Sequence, residues 1–175
     1  MPRFVAFLGG INVGGHRVTM DRLRAEFEAL GFQNVSTFIA SGNVLFEATG
    51  SASSLESKIE VRLAEQLGYA VPTFVRSARA VRNASALEPY GTVADGYTHM
   101  VVFLRKAPTA AAKRATEALS NDHDRFEVHG KELHWLVQGG VSDTTVKGSV
   151  LAKALGQPST ARNTKSLRKL AGMLG

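Results

Sequence analysis

The spacing of apolar residues along the first 76 positions alternates between two periods, and each period predicts one kind of element. Leu23, Phe27 and Leu30 recur at three- and four-residue intervals, as on one face of a helix, and Gly31 follows them. Short apolar runs bounded by glycine and polar residues predict strands instead. The predicted order is strand, helix, strand, strand, helix and strand, over 3–8, 19–30, 35–39, 44–47, 54–67 and 71–75. This is the order of a ferredoxin-like split βαβ unit, in which both helices cover one face of an antiparallel sheet.

The second half repeats most of this order after a short helix and a glycine-containing loop. A strand, a helix, a hairpin and another helix are predicted, and a basic helix follows them. Their ranges are 98–104, 109–119, 125–129 with 132–137, 145–155 and 163–173. We therefore predict an α+β protein with a ferredoxin-like unit at 1–76, a helix and linker at 77–97, and a second, smaller α+β unit at 98–175.

The cationic residues are unevenly distributed. The chain of 175 residues has a net charge of +6, but residues 1–143 are neutral overall and no acidic residue follows Asp143. Such an excess favours a phosphorylated or polyanionic partner such as nucleic acid; a solvated basic helix face is the alternative. The six cations are Lys147, Lys153, Arg162, Lys165, Arg168 and Lys169.

Composition also narrows the setting of the protein. There is no cysteine, so disulfides and thiolate catalysis are excluded, and no apolar run approaches the roughly 20 residues of a membrane span. The run from Phe4 to Leu8 is too short for a secretory signal. We expect a cytoplasmic protein without a membrane partner, and we predict neither a cofactor nor a metal site.

A glycine-rich segment follows the first predicted strand and precedes the first helix. Glycine lets a ligand approach the backbone closely, and free N–H groups at such a junction attract anions. The segment matches neither a P-loop nor a Gly-x-Gly-x-x-Gly fingerprint, so a tight turn is the alternative. The candidate anion ligands are Gly10, Asn12, Gly14 and Gly15, with His16 and Arg17 as accessory residues.

The basic C-terminal segment provides the stronger candidate anion site. Asn163 or Thr164 is expected to cap the last helix, and Arg162 and Lys165 would then flank a helix N-terminus, where the dipole favours an anion. A capped helix that docks on the core with its basic side in water is the alternative. Further accessory candidates are Lys147, and Ser41 and Asn43 of the predicted hairpin turn.

The predicted hairpin at 125–137 turns on a Gly-Lys pair. That turn places His129 opposite Glu132 and Glu127 opposite His134, and strand alternation puts all four on one face. Two histidines and two carboxylates could hold a metal ion, but a solvent-facing ladder of charge pairs is the more frequent arrangement.

Several separate motifs resemble those of one bacterial family. Phe7-Leu-Gly-Gly-Ile-Asn-Val-Gly-Gly15, Ser41-Gly-Asn-Val-Leu-Phe46 and Thr160-Ala-Arg-Asn-Thr164 occur in the family's order. They resemble the proteins called domain of unknown function 1697. The resemblance implies a ferredoxin-like N-terminal part with an appended α+β part, and it implies no activity. Family members often have arginine where this chain has Gly9, which weakens the glycine-rich segment as an anion site.

The sequence leaves three functions open. The first is a protein that binds an anionic ligand or nucleic acid through its basic C-terminal part. The second is an enzyme that acts on a phosphorylated or nucleotide substrate, with His16 as its acid–base group. The third is a self-associating scaffold that forms a homodimer.

Overall fold

The chain forms two compact units of mixed α+β class. The computed structural model describes residues 1–11, 15–38 and 42–175. The first unit consists of Met1–Asn83 together with Lys169–Gly175, and the second of Ala84–Arg168. Each unit contains a four-stranded sheet in which every neighbouring pair of strands is antiparallel. The predicted α+β class is confirmed.

The first unit has the predicted order of strands and helices. Its elements are β1 (Arg3–Leu8), α1 (Met20–Ala29), β2 (Gln33–Thr37), β3 (Asn43–Glu47), α2 (Ala52–Leu67) and β4 (Thr73–Ser77), and α3 (Ala78–Ala86) follows. The strands lie in the order β2-β3-β1-β4. Strand β4 lies at an edge of the sheet, where Pro72, which precedes it, leaves no neighbouring strand without a donor. The ferredoxin-like assignment stays a prediction.

The helices α1 and α2 pack on one face of the first sheet. Phe4, Ala6 and Leu8 alternate along β1 and share a buried cluster with Phe27 of α1 and Ile59 of α2. Alternate residues of a strand point to the same face, so the two helices cover the same side.

Hydroxyl caps determine where these two helices begin. Thr19 caps α1, because its side chain accepts a hydrogen bond from the N–H of Arg22 at 3.1 Å. The predicted start of α2 at residue 54 is wrong. Ser51 accepts the N–H of Ser54, and the helix therefore begins at Ala52.

The second unit repeats the topology of the first. Its elements are β5 (Tyr97–Leu104), α4 (Ala110–Glu117), β6 (Asp124–His129), β7 (Glu132–Gln138), a short 3-10 helix (Val141–Asp143), α5 (Gly148–Leu155), β8 (Ser159–Asn163) and the first part of α6 (Thr164–Met173). The residues of α6 from Lys169 onward belong to the first unit. The strands lie in the order β6-β7-β5-β8. The predicted hairpin register is confirmed, with Glu127 opposite His134 and His129 opposite Glu132.

Strand β8 was not predicted, and it shifts the start of the last helix to Thr164. Ser159–Asn163 pairs along β5, from Leu104 to Met100. Ala161 is the only apolar residue of the five, so the hydrophobic pattern contains no signal for a strand. Pairing with the central strand β5 imposes the extended conformation.

The predicted start of α5 at residue 145 is also wrong, because a buried carboxylate holds the preceding segment. Asp124 accepts hydrogen bonds from the hydroxyl groups of Thr144 and Thr145, from the N–H of Thr145, and from Trp135 Nε1. Burial alone would raise the pKa of Asp124, but these hydrogen bonds outweigh burial and lower it. The helix begins only at Gly148.

The two faces of β5 have different surroundings. Met100, Val102 and Leu104 belong to a buried cluster that includes Leu155 of α5. By strand alternation, His99 lies on the opposite face of the sheet.

Candidate functional site

A cavity of about 350 Å³ lies in the second unit, beside the first residues of β5 and α6. Its walls are the loop that precedes β5, the start of β5 and the first turns of α6. The ionisable side chains that line it, other than that of Tyr97, are those of Glu88, Asp95, His99, Lys165 and Arg168. A volume of this size is within the range of small-molecule sites, roughly 300–1,000 Å³.

Backbone hydrogen bonds fix the loop that forms one wall of the cavity. The N–H of Gly139 donates to the carbonyl of Gly96 at 2.6 Å, and the Thr98 hydroxyl donates to the carbonyl of Gly139, also at 2.6 Å. Gly96 has a φ of 84°, which favours glycine at this turn. The wall is therefore tied to the end of β7.

The start of α6 forms the opposite wall. Asn163 Oδ1 accepts a hydrogen bond from the N–H of Lys165 at 2.9 Å, so the predicted capping role of Asn163 is confirmed. The buried hydroxyl of Thr164 donates to the carbonyl of His99 at 2.9 Å and thereby ties the helix to β5. These contacts bring the positive end of a ten-residue helix to the cavity.

The cavity contains charges of both signs. Lys165 is exposed at its rim. The Arg168 guanidinium is oriented by the carbonyl of Ser85, which Nε approaches at 3.4 Å, and by Glu88 at 3.8 Å. Asp95 adds a second carboxylate to the lining. The site is thus suited to a ligand with an anionic group as well as hydrogen-bond donors.

Two buried histidines lie side by side at the cavity. His99 Nε2 is 2.9 Å from His134 Nδ1, and the two side chains belong to residues that are only 4% and 0% exposed. Burial is the main cause that lowers the pKa of each to about 4; Arg168 contributes to the shift of His99, and His99 and His129 contribute to that of His134. Both imidazoles are therefore neutral at pH 7.

Tyr90 covers this histidine pair. Its ring meets that of His99 edge-on, with 5.6 Å between centroids, and its hydroxyl donates to the carbonyl of His134 at 2.7 Å. Burial raises the pKa of the Tyr90 phenol well above its usual value, so the phenol keeps its proton. The Tyr90 ring therefore covers one side of the His99 ring.

The expected solvent-facing ladder on the hairpin is wrong for His134. The residue is fully buried, because β5 lies next to β7 and places His99 beside it. Glu127 pairs with its own strand neighbour His129, at 2.7 Å, and not across the hairpin. Among residues 1–11, 15–38 and 42–175, no group of three or more His, Cys, Asp or Glu side chains is arranged to hold a metal ion.

Two predicted cationic ligands lie away from the cavity lining. Arg162 is on β8, where its Nη1 donates to Thr160 Oγ1 at 2.8 Å and to the carbonyl of Ala161 at 2.9 Å. Burial lowers the pKa of Arg162 to about 10. Lys147 is exposed and immediately precedes α5. Their roles as anion ligands stay predictions.

The glycine-rich segment belongs to the first unit. Gly10 has a φ of 67°, in the left-handed region that favours glycine, while Gly15 and Arg17 are exposed. The ring of His16 lies 3.8 Å from that of Tyr69, centroid to centroid. The predicted ligands Asn12 and Gly14 lie outside the described residues.

The structure describes one of the two accessory residues predicted in the hairpin turn. Asn43 is buried, and its Nδ2 donates to the carbonyl of Phe38 at 3.0 Å, which closes the turn. This bond gives Asn43 a structural role. Ser41 lies outside the described residues.

A larger, shallower depression lies on the first unit. It has a volume of about 430 Å³, and Leu30, Val61 and Glu65 are among its lining residues. Its other charged groups are Lys58 and Arg62, and Arg62 is paired with Glu26 at 2.7 Å. With few convergent polar groups, it is a weaker candidate than the cavity beside α6.

Sequence reasoning missed the two carboxylates and the imidazole of the cavity, which belong to Glu88, Asp95 and His99. The available signal for His99 is its position in Tyr97–Leu104, a strand that is otherwise mostly apolar. Glu88 and Asp95 lie in a loop whose composition gives no such signal.

The fold defines a mixed α+β protein with two four-stranded antiparallel sheets, one of which bears the candidate cavity. The chain belongs to the family described as "Protein of unknown function (DUF1697)", whose model matches residues 1–134. It is similar to the solved structure of the conserved bacterial protein SP0830 from Streptococcus pneumoniae. The two share 25% identity over 99% of each chain, with a TM-score of 0.75. No curated protein matches the chain.

In the described part of the chain, no helix combines the length and apolar character required to span a bilayer.

Proposed function

We propose that this protein binds a small anionic molecule in the cavity beside α6. The observation that carries the proposal is the convergence of Lys165, Arg168 and the N-terminus of α6 on one cavity of about 350 Å³. A helix N-terminus presents N–H groups and a partial positive charge, and the two cations add to its potential. Asn163 holds this end of the helix in place.

The lining favours a small molecule over a nucleic acid strand. Glu88 and Asp95 place two carboxylates among the cations, and they would repel the successive phosphates of a polyanion. They can instead accept hydrogen bonds from hydroxyl or amino groups of a compact ligand. The best match is therefore a phosphorylated or carboxylated metabolite that also carries such donors.

Isothermal titration calorimetry with a panel of ligands tests the proposal. The panel contains inorganic phosphate, nucleoside monophosphates, sugar phosphates and a single-stranded oligonucleotide. We expect binding of at least one small anion, and thermal stabilisation of about 2.7 kcal/mol when its concentration is 100 times the dissociation constant. Lys165→Glu reverses a charge at the cavity and should weaken binding about tenfold or more.

Lys153→Glu is the matched control. Lys153 is an exposed lysine of the same unit, on α5, and it does not line the cavity. Equal losses in the two variants would indicate a diffuse charge effect and contradict the proposed site. Absence of binding across the panel would refute the function itself.

The other functions appear as different outcomes of the same experiment. A polyanion binder would bind the oligonucleotide with affinity that falls steeply with salt, because bound cations are released. A scaffold would bind nothing in the panel and elute as a dimer in size-exclusion chromatography. An enzyme would convert the bound ligand, and His99 is the titratable imidazole of the cavity lining.

A further inference from the structure

The ring of His99 has one nitrogen committed to the protein and one left for a ligand. Nε2 faces His134 Nδ1 at 2.9 Å. Nδ1 has no hydrogen-bond partner among the described residues, although the residue is 96% buried and lines the cavity. Because His99 lines the cavity, this second nitrogen is the ring atom available to a ligand.

The hydrogen bond between the two histidines allows two arrangements of protons. Because both rings are neutral, each carries one proton, and only one proton can occupy the space between the facing nitrogens. In the first arrangement His99 donates from Nε2, and its Nδ1 presents a lone pair to the cavity. In the second arrangement His134 donates from Nδ1, and His99 then presents an Nδ1–H donor to the cavity.

The state of His134 changes together with that of His99. His134 Nε2 is buried and has no hydrogen-bond partner. It carries a proton in the first arrangement and a lone pair in the second, so it remains unsatisfied in both. Contacts of His134 within the protein therefore do not favour either arrangement. The group that contacts His99 Nδ1 determines which arrangement is populated.

We propose that His99 contacts the anionic group of the ligand as a neutral hydrogen-bond donor, and that His134 is the positioning residue that selects the donating tautomer. This inference rests on the proposed anion-binding function and specifies its ligand contact. An anionic oxygen accepts hydrogen bonds only, so it pairs with Nδ1–H and is repelled by a lone pair. The ligand class is a phosphate or carboxylate that presents an unprotonated oxygen to His99.

Nitrogen-15 NMR of the histidine rings tests this proposal in the intact protein at pH 7.5, with inorganic phosphate as the probe. The chain has five histidines, whose signals can be assigned by single substitutions. We expect phosphate to move His99 to the tautomer protonated at Nδ1, and His134 to the tautomer with a lone pair at Nε2. His129, which is paired with Glu127, serves as the internal reference.

Two substitutions of His99 separate its two nitrogens. Asparagine places an amide nitrogen near the position of Nδ1, whereas glutamine places one near the position of Nε2. His99→Gln should weaken phosphate binding by about 10- to 100-fold, because a charge-assisted hydrogen bond is lost. His99→Asn should retain more of the affinity. The control His129→Gln should leave it unchanged.

Substitutions of His134 test its positioning role. His134→Leu removes the donor that faces His99, so the tautomer of His99 should no longer respond to phosphate as in the wild type. His134→Asn restores a donor near the position of Nδ1 and should recover both the response and part of the affinity. If His134 served only to fill the core, His134→Leu would retain as much phosphate affinity as His134→Asn.

The outcomes distinguish the inference from the function on which it rests. If phosphate binds at Lys165 but His99 keeps its proton on Nε2, the inference is overturned and the anion site stands. If phosphate does not bind at all, both are overturned. A protonated His99 ring, with both nitrogens carrying hydrogen in the complex, would also overturn it, because the proposed donor is neutral.

Discussion

Acid should destabilise the second unit through its two buried histidines. In the folded protein, burial lowers the pKa of His99 and of His134 from 6.5 to about 4. The groups that face them contribute in both directions: Arg168 lowers the pKa of His99 and Glu88 raises it, while His99 and His129 both lower that of His134. In the unfolded chain both rings return to a pKa of about 6.5.

The difference in pKa determines the direction and size of the effect. Above pH 6.5 both residues are neutral in both states, so they leave the free energy of unfolding independent of pH. Between pH 6.5 and 4 the unfolded chain binds protons first, and each histidine lowers the free energy of unfolding by about 1.4 kcal/mol per pH unit. The loss at pH 4 is about 3 kcal/mol for one histidine and up to about 6 kcal/mol for both. Domains are typically stable by roughly 5–15 kcal/mol, so this is a large fraction.

Urea unfolding followed by tryptophan fluorescence measures this effect in the second unit. Trp135 is the only tryptophan and is buried on β7. The informative comparison is the double variant His99→Gln, His134→Asn, whose amides can keep the hydrogen bond but cannot be protonated. We expect the wild type to lose at least about 2 kcal/mol more than this variant between pH 6.5 and 4.5. His16→Gln, which changes an exposed histidine of the first unit, is the control and should follow the wild type.

Parallel curves for the wild type and the double variant would refute the reasoning. They would mean that other groups, chiefly carboxylates, account for the whole acid sensitivity. Such a result would also remove the basis for treating both rings as neutral in the folded state.

Two further predictions concern contacts around the same sheet. Asp124→Asn should lower the free energy of unfolding by about 2–4 kcal/mol, because an amide cannot accept the four hydrogen bonds that the buried carboxylate accepts. An unchanged urea midpoint would contradict this account of the segment before α5. Tyr90→Phe should cost about 1 kcal/mol through loss of the hydroxyl contact with the carbonyl of His134. If Tyr90→Phe unfolds at the same temperature as the wild type, that hydrogen bond makes no net contribution to the free energy of unfolding.

The parts of the fold that the sequence predicts well are those determined by local pattern. The hairpin of β6 and β7 is an example, since alternation on both strands and a Gly-Lys turn fix its register. The cap at Thr19 is another, because a hydroxyl before a helical pattern acts within three residues of itself. Both signals are contained in the segment that they shape.

The candidate site depends on pairings between distant segments, which local pattern cannot supply. His99 and His134 are 35 positions apart in sequence and meet because β5 pairs with β7. Strand β8 forms only by pairing with β5, and it carries Asn163 to the cavity. Without that strand, Arg162 looks like a residue that flanks a helix N-terminus. In the fold its guanidinium contacts its own strand.

The charge asymmetry of the sequence indicates only part of the lining of the cavity. Of the six cations that follow Asp143, only Lys165 and Arg168 line the cavity. The acidic residues of the lining, Glu88 and Asp95, come from the part of the chain that is neutral overall. Folding thus converts a segment with one sign of charge into a cavity with both signs. A ligand selected by net charge alone would be a polyanion, whereas the ligand that we propose for this cavity is small and carries donors beside its anionic group.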